Sequence, residues 1–121
     1  MGIVYHANYL VWMEVGRVEY CRAQGMSYRD FEQEAGLQLA VVEVECRYQS
    51  PAHYDEEVII RTRIAEANPR MIVFGYELLN AATGVGLASG STKHIFLGKD
   101  GHPKKLPEAF RGMFGLGNGA P

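Results

Sequence analysis

Three polar side chains, those of Tyr5, His6 and Asn8, stand together where a helical pattern begins. The first amide groups of a helix have no intrahelical acceptor, and the helix dipole places partial positive charge at the same end. A carbonyl group held there would be stabilised as negative charge develops on its oxygen. The imidazole of His6 could also orient a water molecule. We therefore predict a catalytic cluster of Tyr5, His6 and Asn8, with a packed or surface role for His6 as the alternative.

An amphipathic helix from about Ala7 to Ala23 must position this cluster. Its apolar stripe, with steps of three and four residues, consists of Tyr9, Trp12, Met13, Gly16 and Tyr20. The charged residues assigned to the opposite face are Glu14, Arg17 and Arg22. Asn8 is the predicted N-cap, and Gly25 is the predicted C-terminal stop. Because a glycine inside a helix costs about 1 kcal/mol relative to alanine, Gly16 indicates close approach of another backbone.

The remainder of the chain predicts one short helix followed by strands. The helix begins at Ser27 and ends at Gly36. Period-two alternation then predicts half-buried strands, in which the apolar residues of the first are Val42, Val44, Cys46 and Tyr48. The other strands are predicted at 58–64, 71–80 and 85–97. This order favours an α+β domain over residues 1–114, with an antiparallel sheet packed on the long helix and a flexible tail at 115–121.

Composition excludes several classes of protein. The chain has 121 residues, which fits one domain, and its net charge of -2 comes without the basic stripe expected of a nucleic-acid-binding protein. Cys21 and Cys46 have neither metal-ligand spacing nor a disulfide pattern, which favours a cytoplasmic location. No apolar run approaches the roughly 20 residues that span a membrane. His53, His94 and His102 are separated by unrelated elements, so we predict no metal site.

The start of the chain resembles the active-site loop of one enzyme family. Five residues match the family pattern Asp-x-x-Gly-[Ile/Val]-Val-[Tyr/Trp]-x-x-x-Tyr in register, and they are Gly2, Ile3, Val4, Tyr5 and Tyr9. The family is the 4-hydroxybenzoyl-CoA thioesterase branch of the hotdog-fold acyl-CoA thioesterases, and the resemblance extends to about Phe110. It implies a hotdog fold, in which an antiparallel sheet wraps around a long central helix.

The same resemblance implies that two family features lie ahead of Gly2. The catalytic aspartate of the pattern falls three residues before Gly2, and a further family strand precedes the loop. We therefore expect the chain to be truncated at its N-terminus, with the first family strand missing and with weak or no activity.

The resemblance also implies roles for individual residues. The backbone N–H of His6 would polarise the thioester carbonyl, and Glu14 would face the acyl end of the pocket, with a surface ion pair to Arg17 as the alternative. The substrate-binding candidates are Tyr9, Trp12, Met13, Glu14, Leu39, Ala40 and Val41, of which the apolar ones could equally be core. The candidates for binding coenzyme A phosphates are Arg70, Lys104 and Lys105, for which the alternative is solvated surface.

The function expected from these residues and this resemblance is hydrolysis of acyl-CoA thioesters to a free acid and coenzyme A. No bound cofactor or metal is expected, since coenzyme A is itself part of the substrate and product. The family assembles as homodimers with sites between subunits, and a homotetramer is the larger assembly considered. The alternatives are a non-catalytic acyl-CoA or acyl-carrier binding module and a purely structural dimeric subunit. The acyl group itself stays open.

Overall fold

A long helix, a short helix and four strands follow one another in the predicted order. The computed structural model describes residues 8–25, 28–53 and 55–116. Its helices and strands are α1 (Asn8–Ala23), α2 (Tyr28–Ala35), β1 (Leu37–Tyr48), β2 (Val58–Asn68), β3 (Met71–Asn80), β4 (Gly86–Gly98) and α3 (Glu108–Arg111), and a 3-10 turn (Gly112–Phe114) follows. None of the helices in these ranges is long and apolar enough to cross a bilayer.

Both helix ends predicted from glycine are confirmed. Gly25 follows α1 with a φ of 95°, and Gly36 follows α2 with a φ of 68°, a conformation that costs glycine little. The N-terminal boundary differs by one residue, because α1 includes Asn8 as its first residue. Asn8, the predicted N-cap, is therefore part of the helix. Tyr5, His6 and most of the predicted flexible tail lie outside the described residues.

The strands form one antiparallel sheet in the order β1-β4-β3-β2. β4 lies between β1 and β3, so that Leu39 pairs with Phe96 near one end of β1 and Tyr48 pairs with Ala88 at the other. β1 and β2 are the edge strands of the described sheet. The predicted α+β architecture, with an antiparallel sheet packed on a long helix, is confirmed.

The core lies between α1 and the face of the sheet that carries Phe74, Leu78 and Phe96. A methyl group added at Gly16 would lie 2.7 Å from Ile60 Cγ2 and would also overlap Thr62. The predicted close approach at Gly16 is thus made by the sheet, but through side chains of β2 instead of backbone.

Two predicted faces are wrong. The helical pattern predicts that Arg17 lies on the exposed face of α1, yet Arg17 is only 9% exposed, and its Nη1 donates a hydrogen bond of 3.2 Å to the Tyr76 hydroxyl. Period-two alternation predicts that Val42 and Val44 belong to a half-buried strand, yet they are 51% and 45% exposed. A register shift between Val41 and Glu43 interrupts the alternation. The long helix α1 packs mainly on β2, at the opposite edge of the sheet from β1, so these valines lack cover within one chain.

Candidate functional site

An aromatic cluster fixes the first turn of α1 against the end of β1. Tyr9 is buried, and its hydroxyl accepts a hydrogen bond of 3.1 Å from the backbone N–H of Ala52. Its ring stacks on Trp12 at 5.2 Å and contacts Tyr48 at 5.0 Å between ring centroids. Tyr48 is 48% exposed and Trp12 is half-buried, so this end of the helix carries an accessible aromatic surface. We call Tyr9, Trp12 and Tyr48 the aromatic end.

The predicted helix residues divide between this surface and the core. Asn8 and Glu14 are exposed on α1, while Met13 is fully buried. A methyl group added at Gly90 of β4 would lie 2.6 Å from Met13 Cε, which places Met13 firmly between helix and sheet. Trp12 is consequently the predicted pocket residue on α1 that combines an apolar ring with access from outside.

The predicted pocket residues of β1 lie far from the aromatic end within one chain. Leu39 and Ala40 are half-buried, and Val41 is exposed, near the start of the strand. Tyr48 is nine positions from Leu39, which corresponds to roughly 30 Å along an extended strand. A single chain therefore does not bring the two halves of the predicted acyl pocket together.

The predicted coenzyme A residues do come together. The backbone N–H of Leu106 donates a hydrogen bond of 2.7 Å to the carbonyl oxygen of Pro69, which joins the segment after β4 to the β2–β3 turn. Arg70 is in that turn, and Lys104 and Lys105 directly precede Leu106. All three basic residues are exposed, and Lys104 Nζ lies 3.5 Å from Asp100 Oδ2. We call Arg70, Lys104 and Lys105 the basic cluster.

A cavity of about 320 Å³ opens at the same end of the sheet as the basic cluster. Residues that line it include Gly36, Leu37 and Gln38 at the start of β1, with Leu97 and Lys99 at the end of β4. Its mixed apolar and polar walls suit a chain that carries amide groups between apolar segments. The basic cluster, this cavity and Leu39 thus share one end of the molecule, and the aromatic end lies at the other.

No metal centre accompanies these features within residues 8–25, 28–53 and 55–116, where no three His, Cys, Asp or Glu side chains gather as ligands would.

A buried polar chain crosses the core and was not predicted. Arg17 Nη1 contacts the Tyr76 hydroxyl, which lies 2.6 Å from Thr92 Oγ1, and Thr92 Oγ1 lies 2.8 Å from His94 Nε2. His94 is fully buried, and burial together with the Arg17 charge lowers its pKa to about 4. A sequence signal did exist, because Thr92 and His94 occupy alternate positions of a strand. These hydrogen-bonded side chains connect α1 to β3 and β4.

The buried His94 makes stability depend on pH. Its pKa falls from 6.5 in the unfolded chain to about 4 in the fold, so the unfolded state binds the proton more readily between these values. The contribution of the neutral imidazole to the free energy of unfolding is therefore fully present above pH 6.5. It declines as pH falls from 6.5 through 4, and the total loss is roughly 3 kcal/mol. We expect urea-unfolding free energies of the unsubstituted protein to decline over this window and those of His94→Leu to decline less. His102→Leu, at an exposed histidine, is the control; a slope shared by both variants would contradict the prediction.

The family model described as thioesterase-like superfamily matches residues 1–114. A putative acyl-CoA thioesterase, YneP, from Bacillus subtilis is 40% identical over 111 residues, which cover 91% of this chain and 79% of that protein. A hypothetical protein from Thermus thermophilus superposes with a TM-score of 0.86 at 32% identity, covering 94% and 85% of the two chains. A DHNA-CoA thioesterase from Staphylococcus aureus superposes with a TM-score of 0.83 at 32% identity, covering 91% and 73%.

Proposed function

The chain belongs to the thioesterase-like superfamily and is an acyl-CoA thioesterase of hotdog fold, and we propose that its site lies at the N-terminus of α1 and is completed by a second subunit. The observation that carries this proposal is the aromatic end, which holds the first turn of α1 beside an accessible apolar surface. An acyl group seated on that surface would direct its thioester carbonyl towards the start of the helix. The helix dipole favours negative charge on the carbonyl oxygen there.

The reaction is hydrolysis without a bound cofactor or metal. Water oxygen bonds to the thioester carbon, the carbon–sulfur bond breaks, and a carboxylic acid and coenzyme A are released. We propose that the backbone N–H of His6 polarises the carbonyl and that Tyr5 and Asn8 orient the reacting groups. We propose that a carboxylate at the family's catalytic position, three residues before Gly2, would speed this hydrolysis.

The second subunit is proposed because the two halves of the predicted site are about a strand length apart. The edge strand β1 carries exposed apolar residues at its middle, namely Val41, Val42 and Val44. Such an edge is suited to pairing with another strand. Antiparallel pairing of β1 with its own copy, centred on these valines, would place the aromatic end of one subunit beside the start of β1 in the other. Each site would then take its helix terminus from one chain and its basic cluster from the partner.

The basic cluster would bind the phosphates of coenzyme A in this assembly. Three exposed cations on adjoining turns can contact several phosphate oxygens of one nucleotide. The 320 Å³ cavity lined by the start of β1 and the end of β4 would accommodate the flexible arm that leads to the sulfur atom. A homotetramer of two such dimers and a cytoplasmic location stay predictions from the sequence.

The proposed function is tested with a panel of aliphatic and aromatic acyl-CoA esters. Release of coenzyme A is followed with a thiol reagent over long incubations, and we expect at least one ester to be cleaved faster than in buffer. Saturable binding of esters without hydrolysis would favour the acyl-CoA or acyl-carrier binding module. If neither coenzyme A nor any ester changed the melting temperature, the structural-subunit alternative would be favoured.

A further inference from the structure

A histidine in the loop after β1 is held by a carboxylate, and neither the fold nor the site described so far requires it. Glu56 Oε1 accepts hydrogen bonds of 2.8 Å from the backbone N–H of His53 and from its Nδ1. Glu56 Oε2 accepts a further hydrogen bond from Asn80 Nδ2. Asn80 is buried at the end of β3, where its Oδ1 accepts the backbone N–H groups of Ala82 and Thr83. The histidine is thus anchored through two side chains to the β3–β4 hairpin.

The contact with Glu56 selects one tautomer of the His53 imidazole. The hydrogen bonds from the His53 backbone and ring and from Asn80 lower the pKa of Glu56, so that its carboxylate is ionised and can only accept. Nδ1 of His53 therefore carries the hydrogen, and in the neutral ring Nε2 holds the lone pair. The His53 side chain is 52% exposed, which leaves the ring open to solvent and ligand. A carboxylate that orients a histidine in this way is a common support for a general base.

The loop places His53 beside the aromatic end. Its neighbour Ala52 donates to the Tyr9 hydroxyl at 3.1 Å, and consecutive Cα atoms are about 3.8 Å apart. Asp55, two residues on, has a φ of 74°, which is a strained conformation for a residue with a side chain. Among the described residues, the titratable groups around this loop are Glu56, Asp55 and Glu57 on the loop itself, with Tyr9 from α1 and Tyr48 from β1.

We propose that His53 is a general base for the hydrolysis in this chain and that Glu56 is its positioning residue. The inference rests on the proposed thioesterase function. Nε2 takes a proton from water as the water oxygen bonds to the thioester carbon. The carbon–sulfur bond then breaks, and the imidazolium returns the proton to the departing thiolate. The products are the free acid and coenzyme A, and the imidazole is neutral again.

The test compares His53→Ala with a matched histidine at the other end of the sheet. His102 is also exposed and lies 3.5 Å from a carboxylate oxygen of Asp100, so His102→Ala removes the same groups elsewhere. In the 121-residue protein, we expect His53→Ala to lower kcat by about 100-fold or more with little change in KM. Added imidazole should restore part of the rate in His53→Ala, which a merely structural role would not allow. Glu56→Gln should lower kcat less, by about tenfold, and shift the acidic limb of the pH–rate profile.

The outcomes separate this inference from the proposed function. If the unsubstituted protein releases coenzyme A and His53→Ala retains its rate and pH profile, the role of His53 is wrong while the thioesterase stands. A loss of rate without rescue by imidazole would also overturn it. If the unsubstituted protein cleaves no ester, both the function and the role of His53 are wrong.

Discussion

An aspartate placed two residues before Met1 is expected to raise kcat for acyl-CoA hydrolysis by about 100- to 10,000-fold over the 121-residue protein. This position is three residues before Gly2, where the resembling family pattern has its catalytic carboxylate. The carboxylate would act on the thioester carbon or on its attacking water, while the N-terminus of α1 stabilises the oxyanion. Initial rates over a range of ester concentrations give kcat and KM for the protein extended by Asp–Ala.

The control for this experiment is an Asn–Ala extension of equal length. Asparagine has the size of aspartate but is neither a base nor an anionic nucleophile, so the rate should stay near that of the 121-residue protein. If the Asp–Ala and Asn–Ala proteins hydrolyse esters equally well, a carboxylate at this position does not contribute to the chemistry. A KM that changes with kcat constant would instead indicate an effect of the extension on binding alone.

Local signals in the sequence were enough to predict the order of the elements. Gly25 and Gly36 end the two helices because each adopts a positive φ, which is a property of the residue and its neighbours. Alternation of apolar and polar residues predicted the four strands because successive side chains of a strand point to opposite faces of the sheet, which is also a local property. The thioesterase family was also accessible from the sequence, since the residues around Gly2 match a short, ordered pattern.

Features that depend on distant neighbours were not predictable in this way. Arg17 lies on the buried side of α1 because Tyr76, 59 residues away, offers a hydroxyl group in the core. Val42 and Val44 are exposed because α1 packs mainly on β2, at the opposite edge of the sheet from β1, and strand order is set by pairing over the whole sheet. Alternation alone cannot distinguish an edge strand from a central one.

The His53 site depends both on local sequence spacing and on a contact with a residue that is distant in the sequence. His53 and Glu56 are three residues apart in a loop after Pro51, so their contact was predictable from the sequence. The hydrogen bond from Asn80 to Glu56 was not predictable from the sequence, because it depends on the β3–β4 hairpin lying beside the loop.

The geometry of the sheet makes the division of the site between subunits testable. Within one chain, the aromatic end and the basic cluster lie at opposite ends of the sheet. If each site uses the α1 terminus of one subunit and the basic cluster of its partner, a subunit altered at its α1 terminus and a subunit altered in its basic cluster should together form one intact site. Two inactive proteins would then form active mixed dimers, which a site contained in one chain would not permit.

One partner in this experiment is the Asn–Ala protein, which lacks the carboxylate, and the other is the Asp–Ala protein with Arg70→Glu, Lys104→Glu and Lys105→Glu. The charge reversal should raise KM roughly 10- to 100-fold, because electrostatic attraction for phosphates becomes repulsion. Each protein alone should be nearly inactive at low ester concentration. Co-expression in equal amounts should restore about one quarter of the Asp–Ala activity, since half of randomly paired dimers are mixed and each holds one intact site.

Two differently tagged subunits allow the mixed dimers to be purified and their formation to be verified. The purified mixed dimer should approach half of the Asp–Ala rate, with the KM of the Asp–Ala protein, because its intact site contains both unaltered parts. Mixed dimers no more active than the mean of their parents would contradict the shared site, since every subunit with a carboxylate would then be using its own reversed charges. Recovery of the low KM is the more specific result, because it requires an unaltered basic cluster from one chain to serve the carboxylate of the other.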